Sequence, residues 1–171
     1  MNAKNIFNIL GFQLSWWACV IGAQRGYIYF GPLVMAIFLA VHLFLTGRNR
    51  SEINFIAVVG LLGVLVDTAF LHFSFIFYEG RTFSSLAPLW IIAMWLGFSA
   101  TLNHSLAWLD GKWVHSFILG AVFGPMSYIA GLKFGAINFN ISILTITILS
   151  VVWGLTLPIM FLLNRKIVIQ K

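Results

Sequence analysis

The chain has 171 residues, of which 61% are hydrophobic and 8% are charged, and its formal net charge is +6. Soluble domains carry about 25% charged residues, so this composition excludes a water-soluble core with a polar shell and indicates a surface that faces lipid. The basic residues lie in short loops and tails, which favours membrane topology over nucleic-acid binding as the origin of the charge.

Six apolar segments have the length of about 20 residues that a membrane crossing requires. We predict a single all-α domain over residues 1–171, a polytopic integral membrane protein with six transmembrane helices and both termini cytoplasmic. The predicted spans are 6–23, 27–46, 53–77, 87–109, 114–136 and 141–163.

The orientation follows from the positive-inside rule. One side of the predicted topology carries seven basic residues, which are Lys4, Arg48, Arg50, Lys112, Arg165, Lys166 and Lys171. The other side carries three, which are Arg25, Arg81 and Lys133. The side with seven is therefore expected in the cytoplasm.

The fifth predicted span is unusual because it contains several glycines and a proline. Gly120 and Gly124 are four residues apart, as are Gly131 and Gly135, so each pair opens a groove where another helix can approach closely. Pro125 removes a backbone donor, and we predict a kink there. We expect this helix in the middle of the bundle.

Asp67 is the only carboxylate predicted to lie well inside a span. It lies roughly 21 Å from the start of the third span, and Tyr128 lies at about the same depth in the fifth. A hydrogen bond from Tyr128 to Asp67 is therefore expected, with His72 and Lys133 as a second polar layer near the outer interface. Two roles remain open for Asp67: coupling protons or binding a substrate, or joining helices by hydrogen bonds.

Another polar layer is predicted nearer the cytoplasm. Gln13 lies about 10 Å from the start of the first span, and Asn103 lies about 9 Å from the end of the fourth. His42 lies about 6 Å from the end of the second span, and His104 follows Asn103. These four residues line a cytoplasm-facing cavity or contact a lipid headgroup. Hydrogen bonding between helices, with histidines at the interface, is the alternative.

Sequence motifs of enzyme active sites are missing from the chain. It contains no His-x-Glu or His-Glu-x-x-His pair, no nucleophile elbow and no phosphate loop. We therefore predict no catalytic residue, no metal site and no cofactor, and we lean against an enzyme.

Four segments resemble an uncharacterised family of bacterial inner-membrane proteins, domain of unknown function 2878. The segments are 12–20, 88–98, 101–109 and 124–136, and the run Gly-Pro-x-Ser-Tyr-x-x-Gly at 124–131 is the most specific. The resemblance implies a small multi-pass protein of the bacterial inner membrane, and it implies no particular activity.

Three functions remain open at this stage. We favour binding or transport of a small molecule or lipid through a polar intramembrane cavity formed by the residues above. One alternative is a non-catalytic assembly or scaffold subunit that uses its glycine grooves to bind another membrane protein. The other is an intramembrane enzyme that modifies lipid, with His104, His72 or Asp67 as acid or base. The expected partners are the lipid bilayer, a lipid or small apolar ligand and a membrane protein, but not nucleic acid.

Overall fold

The computed structural model describes residues 3–47 and 49–169, and most of them are helical. The six α-helices are α1 Ala3–Gln24, α2 Phe30–Leu45, α3 Arg50–His72, α4 Leu89–Leu102, α5 Trp113–Lys133 and α6 Ile143–Asn164. A 3₁₀ turn, Ala107–Leu109, precedes α5, and a π-helical turn, Arg165–Ile169, follows α6. Two short strands, β1 Phe77–Tyr78 and β2 Ile137–Asn138, pair antiparallel.

Four helices in the described ranges are long and apolar enough to cross a membrane, and they are α1, α3, α5 and α6. The other two are apolar but shorter, since α2 has 16 residues and α4 has 14. The all-α class is confirmed, whereas the second and fourth helices are shorter than the segments that the sequence predicted.

The helices run back and forth between two ends of the bundle. Lys4 at the start of α1 donates from Nζ to the Leu45 carbonyl at the end of α2, at 2.9 Å. Asn8, one turn further, donates from Nδ2 to the Ala100 carbonyl near the end of α4, at 3.0 Å. We call this the tail end, because α1 begins and α6 ends there. The opposite end, where β1 pairs with β2, is the hairpin end.

The centre of the bundle is α4 and not α5. The short α4 packs against α1, α2 and α3, whereas α5 packs mainly against α6. Residues on all sides of α4 are buried, including Trp90 and Trp95, while Phe123 and Val122 of α5 are exposed. The expectation that the fifth helix lies in the middle was therefore wrong. A helix that is apolar all round belongs in the interior, and α4 has that character.

The glycines of α5 have different roles. A Cβ on Gly120 would meet the Trp153 carbonyl of α6, and one on Gly124 would meet the Trp153 side chain, so this pair does allow a close helix approach. Gly131 instead faces Ile137 of β2. Gly135 lies beyond the helix with φ +71° and ends it. The prediction of a second helix groove was wrong.

Pro125 lies inside α5, which continues as one helix from Trp113 to Lys133. The proline is buried. It directly follows Gly124, which together with Gly120 lets α5 approach α6 closely.

The third helix ends at His72, five residues before the predicted boundary. Ser74 adopts φ 56°, and the amide of Phe75 donates to the Phe70 carbonyl at 2.9 Å. The chain then leaves the helix and pairs as β1, with Tyr78 opposite Ile137. The residues on both sides of this break are apolar. Hydropathy alone therefore predicted a third span that extends beyond the end of α3.

The fourth helix ends at Leu102, whereas the predicted span reached residue 109. The amides of His104 and Leu106 both donate to the Thr101 carbonyl, at 3.1 and 2.9 Å, and a 3₁₀ turn follows. Asn103, His104 and Ser105 each find a partner on a different element. Their partners are Asn164 of α6, Glu52 of α3 and Asn8 of α1.

Candidate functional site

Asp67 accepts hydrogen bonds from three buried side chains. Its Oδ1 accepts from the Tyr78 hydroxyl at 2.6 Å and from the Tyr128 hydroxyl at 2.7 Å. Its Oδ2 accepts from the Trp95 indole Nε1 at 2.5 Å. Asp67 is only 1% exposed, so these donors replace water around both carboxyl oxygens. We call these four residues the Asp67 cluster.

The cluster joins four elements of the fold. Asp67 lies on α3, Trp95 on α4, Tyr128 on α5 and Tyr78 on β1. The predicted hydrogen bond between Tyr128 and Asp67 is present, and the sequence did not reveal the other two donors. This arrangement matches the helix-joining interpretation of Asp67, while its role in ligand binding stays a prediction.

Two local features position the Trp95 indole and the Tyr78 hydroxyl beside the Asp67 carboxyl. A Cβ on Gly63 would meet the Trp95 ring, so the missing side chain one turn before Asp67 lets the indole lie across α3. The pairing of β1 with β2 holds Tyr78 beside the same carboxyl. From this position its hydroxyl donates to Asp67 Oδ1.

An apolar cleft of about 760 Å³ lies between α1 and α5, and α4, α6, the 3₁₀ turn, Asp67 of α3 and Ile137 of β2 complete its lining. Ligand sites typically have volumes of about 300–1,000 Å³, so the cleft can hold a sizeable molecule. We call it the aromatic cleft, because its lining includes Phe12, Trp16, Trp90, Phe98, Phe123 and Trp153. Its polar lining residues are Gln13, Asp67, Ser127 and Tyr128.

The cleft extends along the bundle and has an exposed rim. Its lining reaches from Ile137 at the hairpin end to Leu109 at the tail end. Phe123 and Met126 of α5 are more than half exposed at its edge. The Trp17 and Phe134 rings, with centroids 4.8 Å apart, join α1 to the end of α5. The cleft is thus accessible from the side of the bundle.

A second polar cluster lies at the tail end. His42 Nε2 lies 2.9 Å from Glu52 Oε1, and His104 Nε2 lies 2.7 Å from the same oxygen. The two imidazole rings are nearly perpendicular, with centroids 4.6 Å apart. We call these three residues the His–Glu cluster. Sequence reasoning missed it because the predicted third span began at residue 53, which left Glu52 in the preceding loop, whereas Glu52 lies in the first turn of α3.

Asn8 fixes the position of His42 within this cluster. Its Oδ1 accepts from the Ser105 hydroxyl at 2.6 Å, while its Nδ2 donates to the Ala100 carbonyl at 3.0 Å. These partners orient the amide, so that Nδ2 also approaches His42 Nδ1 at 3.4 Å. An amide nitrogen can only donate, and His42 therefore accepts at Nδ1 and carries its proton on Nε2.

The eight predicted cavity residues do not share one cavity. Asp67, Tyr128 and Gln13 line the aromatic cleft, which is mainly apolar rather than polar. His42 and His104 belong to the His–Glu cluster.

The remaining three lie elsewhere. Asn103 accepts a hydrogen bond from Asn164 at 2.5 Å. His72 is exposed, with its Nε2 3.0 Å from the Ser85 carbonyl, and Lys133 is exposed at the end of α5. Neither of these two residues lines the cleft.

The fold and the site define an all-α protein with helices of membrane-spanning length and an aromatic cleft between them. The chain belongs to the family described as Protein of unknown function (DUF2878), which matches residues 5–159. This match confirms the family resemblance of the sequence. No curated protein and no solved structure matches the chain.

Proposed function

We propose that this protein is a multi-pass protein of the bacterial inner membrane that binds a lipid-like, mainly apolar molecule in the aromatic cleft. The observation that carries the proposal is the cleft itself, about 760 Å³ in volume and lined by aromatic side chains. Burial of apolar ligand surface against such walls supplies most of the binding free energy, and a few polar groups orient the ligand.

Six crossings with cytoplasmic termini fit the arrangement of the helices. Because α2 returns along α1 to the tail end and α4 also ends there, both short helices run between the same two ends as the long ones. The short α4 is surrounded by other helices, so its length need not match the bilayer by itself. Irregular backbone at membrane depth is tolerated where protein covers it. Ile76 and Ile137 at the hairpin end are buried in this way.

The basic residues support the same orientation. The tail end holds Lys4, Arg50, Lys112, Arg165 and Lys166, and the hairpin end holds Arg25, Arg81 and Lys133. Under the positive-inside rule the tail end faces the cytoplasm.

A lipid-like ligand matches the chemistry and the shape of the cleft. The lining is apolar along its length, and the exposed rim at Phe123 and Met126 would meet the acyl chains of a surrounding bilayer. Gln13 and Ser127 offer hydrogen bonds to a polar group on the ligand. We extend the proposal to transport, in which the molecule moves along a cleft that reaches from Ile137 to Leu109.

The scaffold alternative receives less support. It relied on glycine grooves that bind another membrane protein, but Gly120 and Gly124 already face Trp153 of the same chain. Gly131 faces Ile137, and Gly135 ends α5 through its positive φ. These glycines are used in the internal packing of this chain.

Mass spectrometry of the intact purified protein, released from detergent, tests the proposal. Ala130 lines the cleft, so Ala130→Trp places an indole in the volume that the ligand occupies. Val122→Trp is the matched control, because Val122 lies on the same helix, is 47% exposed and does not line the cleft. We expect a bound apolar molecule in the wild type and in Val122→Trp, and none in Ala130→Trp. Equal retention in all three proteins would contradict binding in the cleft.

A further inference from the structure

We propose that the His–Glu cluster is a binding site for a divalent metal ion of the zinc class, held by His42, Glu52 and His104. Each residue offers one ligand atom, and these atoms all lie within 4.8 Å of one another. The site lies at the tail end and shares no residue with the lining of the aromatic cleft. The inference therefore stands independently of the proposed function.

The donor set is the main argument. Two imidazole nitrogens and one carboxylate oxygen form a ligand set that binds Zn²⁺ with a fourth position left open for water or a substrate. The same ligand set binds other divalent transition metals. The geometry of the site and the availability of each metal decide which one is bound. Both histidines direct the same atom, Nε2, at one Glu52 oxygen, so the three donors converge on one point.

The donors are close enough to surround one ion after local shifts. Ligand atoms at about 2.0 Å from a tetrahedral ion lie roughly 3.3 Å apart. The two nitrogens lie 2.9 and 2.7 Å from Glu52 Oε1, so each of these two pairs needs to separate by a few tenths of an ångström. The two histidine nitrogens lie within 4.8 Å of each other and would move closer together around the ion. The hydrogen bonds that the Nε2 atoms make to Glu52 are replaced by bonds to the ion.

The burial of His42 and Glu52 is typical of one defined metal site rather than of a cluster of charges on the surface. His42 is 2% exposed and Glu52 is 6% exposed, so bulk water competes little for an ion held between them. His104 is partly exposed, which leaves a route to the open position. The ligands come from the end of α2, the start of α3 and the turn after α4, so the ion would tie these three elements together.

Metal binding requires a change in the contact between Asn8 and His42. With Nδ2 of Asn8 facing Nδ1, His42 carries its proton on Nε2, the atom that the metal must take. Binding therefore moves that proton to Nδ1, and the 3.4 Å contact with Asn8 Nδ2 is lost. Hydrogen bonding of metal-bound histidines through their second nitrogen commonly tunes such sites.

Zinc binding to the purified full-length protein, carrying no polyhistidine tag, tests the proposal. We expect equilibrium dialysis followed by elemental analysis to find one Zn²⁺ per chain, and Co²⁺ at the same site to give the visible absorption of a tetrahedral complex. His104→Gln and Glu52→Gln should each weaken binding by about tenfold or more. His115→Gln is the matched control, because His115 is an exposed histidine at the start of α5 and should leave binding unchanged.

Thermal unfolding separates metal loss from misfolding. A variant that unfolds near the wild-type temperature without metal, and gains no stability when Zn²⁺ is added, has lost the site and kept the fold. If the wild type binds no Zn²⁺ or Co²⁺ at micromolar free concentrations, the cluster is a hydrogen-bonded network only and the proposal is overturned. Unchanged binding in both ligand variants would overturn it as well.

Discussion

The hydroxyl of Tyr128 on α5 donates a hydrogen bond to the Asp67 carboxyl on α3, at 2.7 Å, and so connects the two sides of the bundle. The main partner of α5 is α6, whereas α3 packs mainly against α4. The bond thus links the α5–α6 pair to the central helix through a carboxyl that Trp95 of α4 also contacts. This connection lies at the wall of the aromatic cleft.

Removing the Tyr128 hydroxyl should destabilise the bundle while leaving its packing unchanged. Tyr128→Phe deletes one of two donors to Oδ1, and a hydrogen bond typically contributes about 1 kcal/mol net. We expect the unfolding temperature in detergent to fall by about 2–4 °C. Tyr29→Phe is the control, because Tyr29 is 66% exposed. Equal unfolding temperatures for the two variants would show that the bond contributes nothing to stability.

An amide cannot replace the Asp67 carboxyl without a conflict. In Asp67→Asn one position carries an NH₂ group. If it faces Trp95 Nε1, it opposes a group that can only donate, and if it faces Tyr78 and Tyr128, their two hydroxyl protons lose their acceptor. We expect a loss of about 1–3 kcal/mol in the free energy of unfolding, because buried donors lose their acceptor.

A double-mutant cycle isolates that conflict. Trp95→Phe removes the indole donor, so the two substitutions together should cost less than the sum of the single costs, by about 0.5–3 kcal/mol. Denaturant unfolding of the four proteins measures this coupling. Strictly additive costs would mean that the amide oxygen of Asp67→Asn still accepts from Trp95 Nε1, so that the conflict falls on the tyrosine hydroxyls instead.

A side chain at Gly120 should separate α5 from α6. A Cβ there would meet the Trp153 carbonyl, and backbone cannot move aside as the end of a flexible side chain can. Gly120→Leu should therefore cost about 1–3 kcal/mol, the usual penalty of overpacking. Val122→Leu on the exposed side of α5 serves as control in the same thermal unfolding assay. Wild-type stability of Gly120→Leu would refute the close approach.

The proposed topology makes a prediction about reporters fused at the two ends. Green fluorescent protein joined to the C-terminus should fluoresce, since it matures in the cytoplasm. Alkaline phosphatase inserted at Thr82, in the loop between β1 and α4, should be active, since that loop belongs to the hairpin end. Activity in the opposite pattern would reverse the orientation that the basic residues indicate.

Part of the Asp67 cluster could be predicted from the sequence. The rise of 1.5 Å per residue places Asp67 and Tyr128 at similar depths in two helices of the same direction, and this reasoning led to the correct pair. Tyr78 could not be found in this way, because it lies just beyond the predicted third span and reaches Asp67 from a two-residue strand. Trp95 could not be predicted as a partner of Asp67, because the sequence did not show that α4 lies at the centre of the bundle.

The His–Glu cluster shows why sequence spacing was insufficient at the tail end. Its three residues lie on separate elements, and Glu52 and His104 are 52 residues apart in the sequence, so no local motif exists. The cluster forms only because α4 stops at Leu102 and the chain turns His104 towards α3. Hydropathy does not reveal where α4 ends, because apolar residues such as Leu106 and Leu109 follow its last residue.

The measurement that tests ligand binding most directly is photo-crosslinking of the purified protein with a diazirine-bearing fatty acid, followed by mass spectrometric mapping of the labelled residues. We predict labels on cleft residues such as Trp16 and Phe98, in addition to labels on the lipid-facing surface, and loss of the cleft labels alone in Ala130→Trp. Labels confined to outward-facing residues such as Val122 and Ile118 in the wild type would contradict the account.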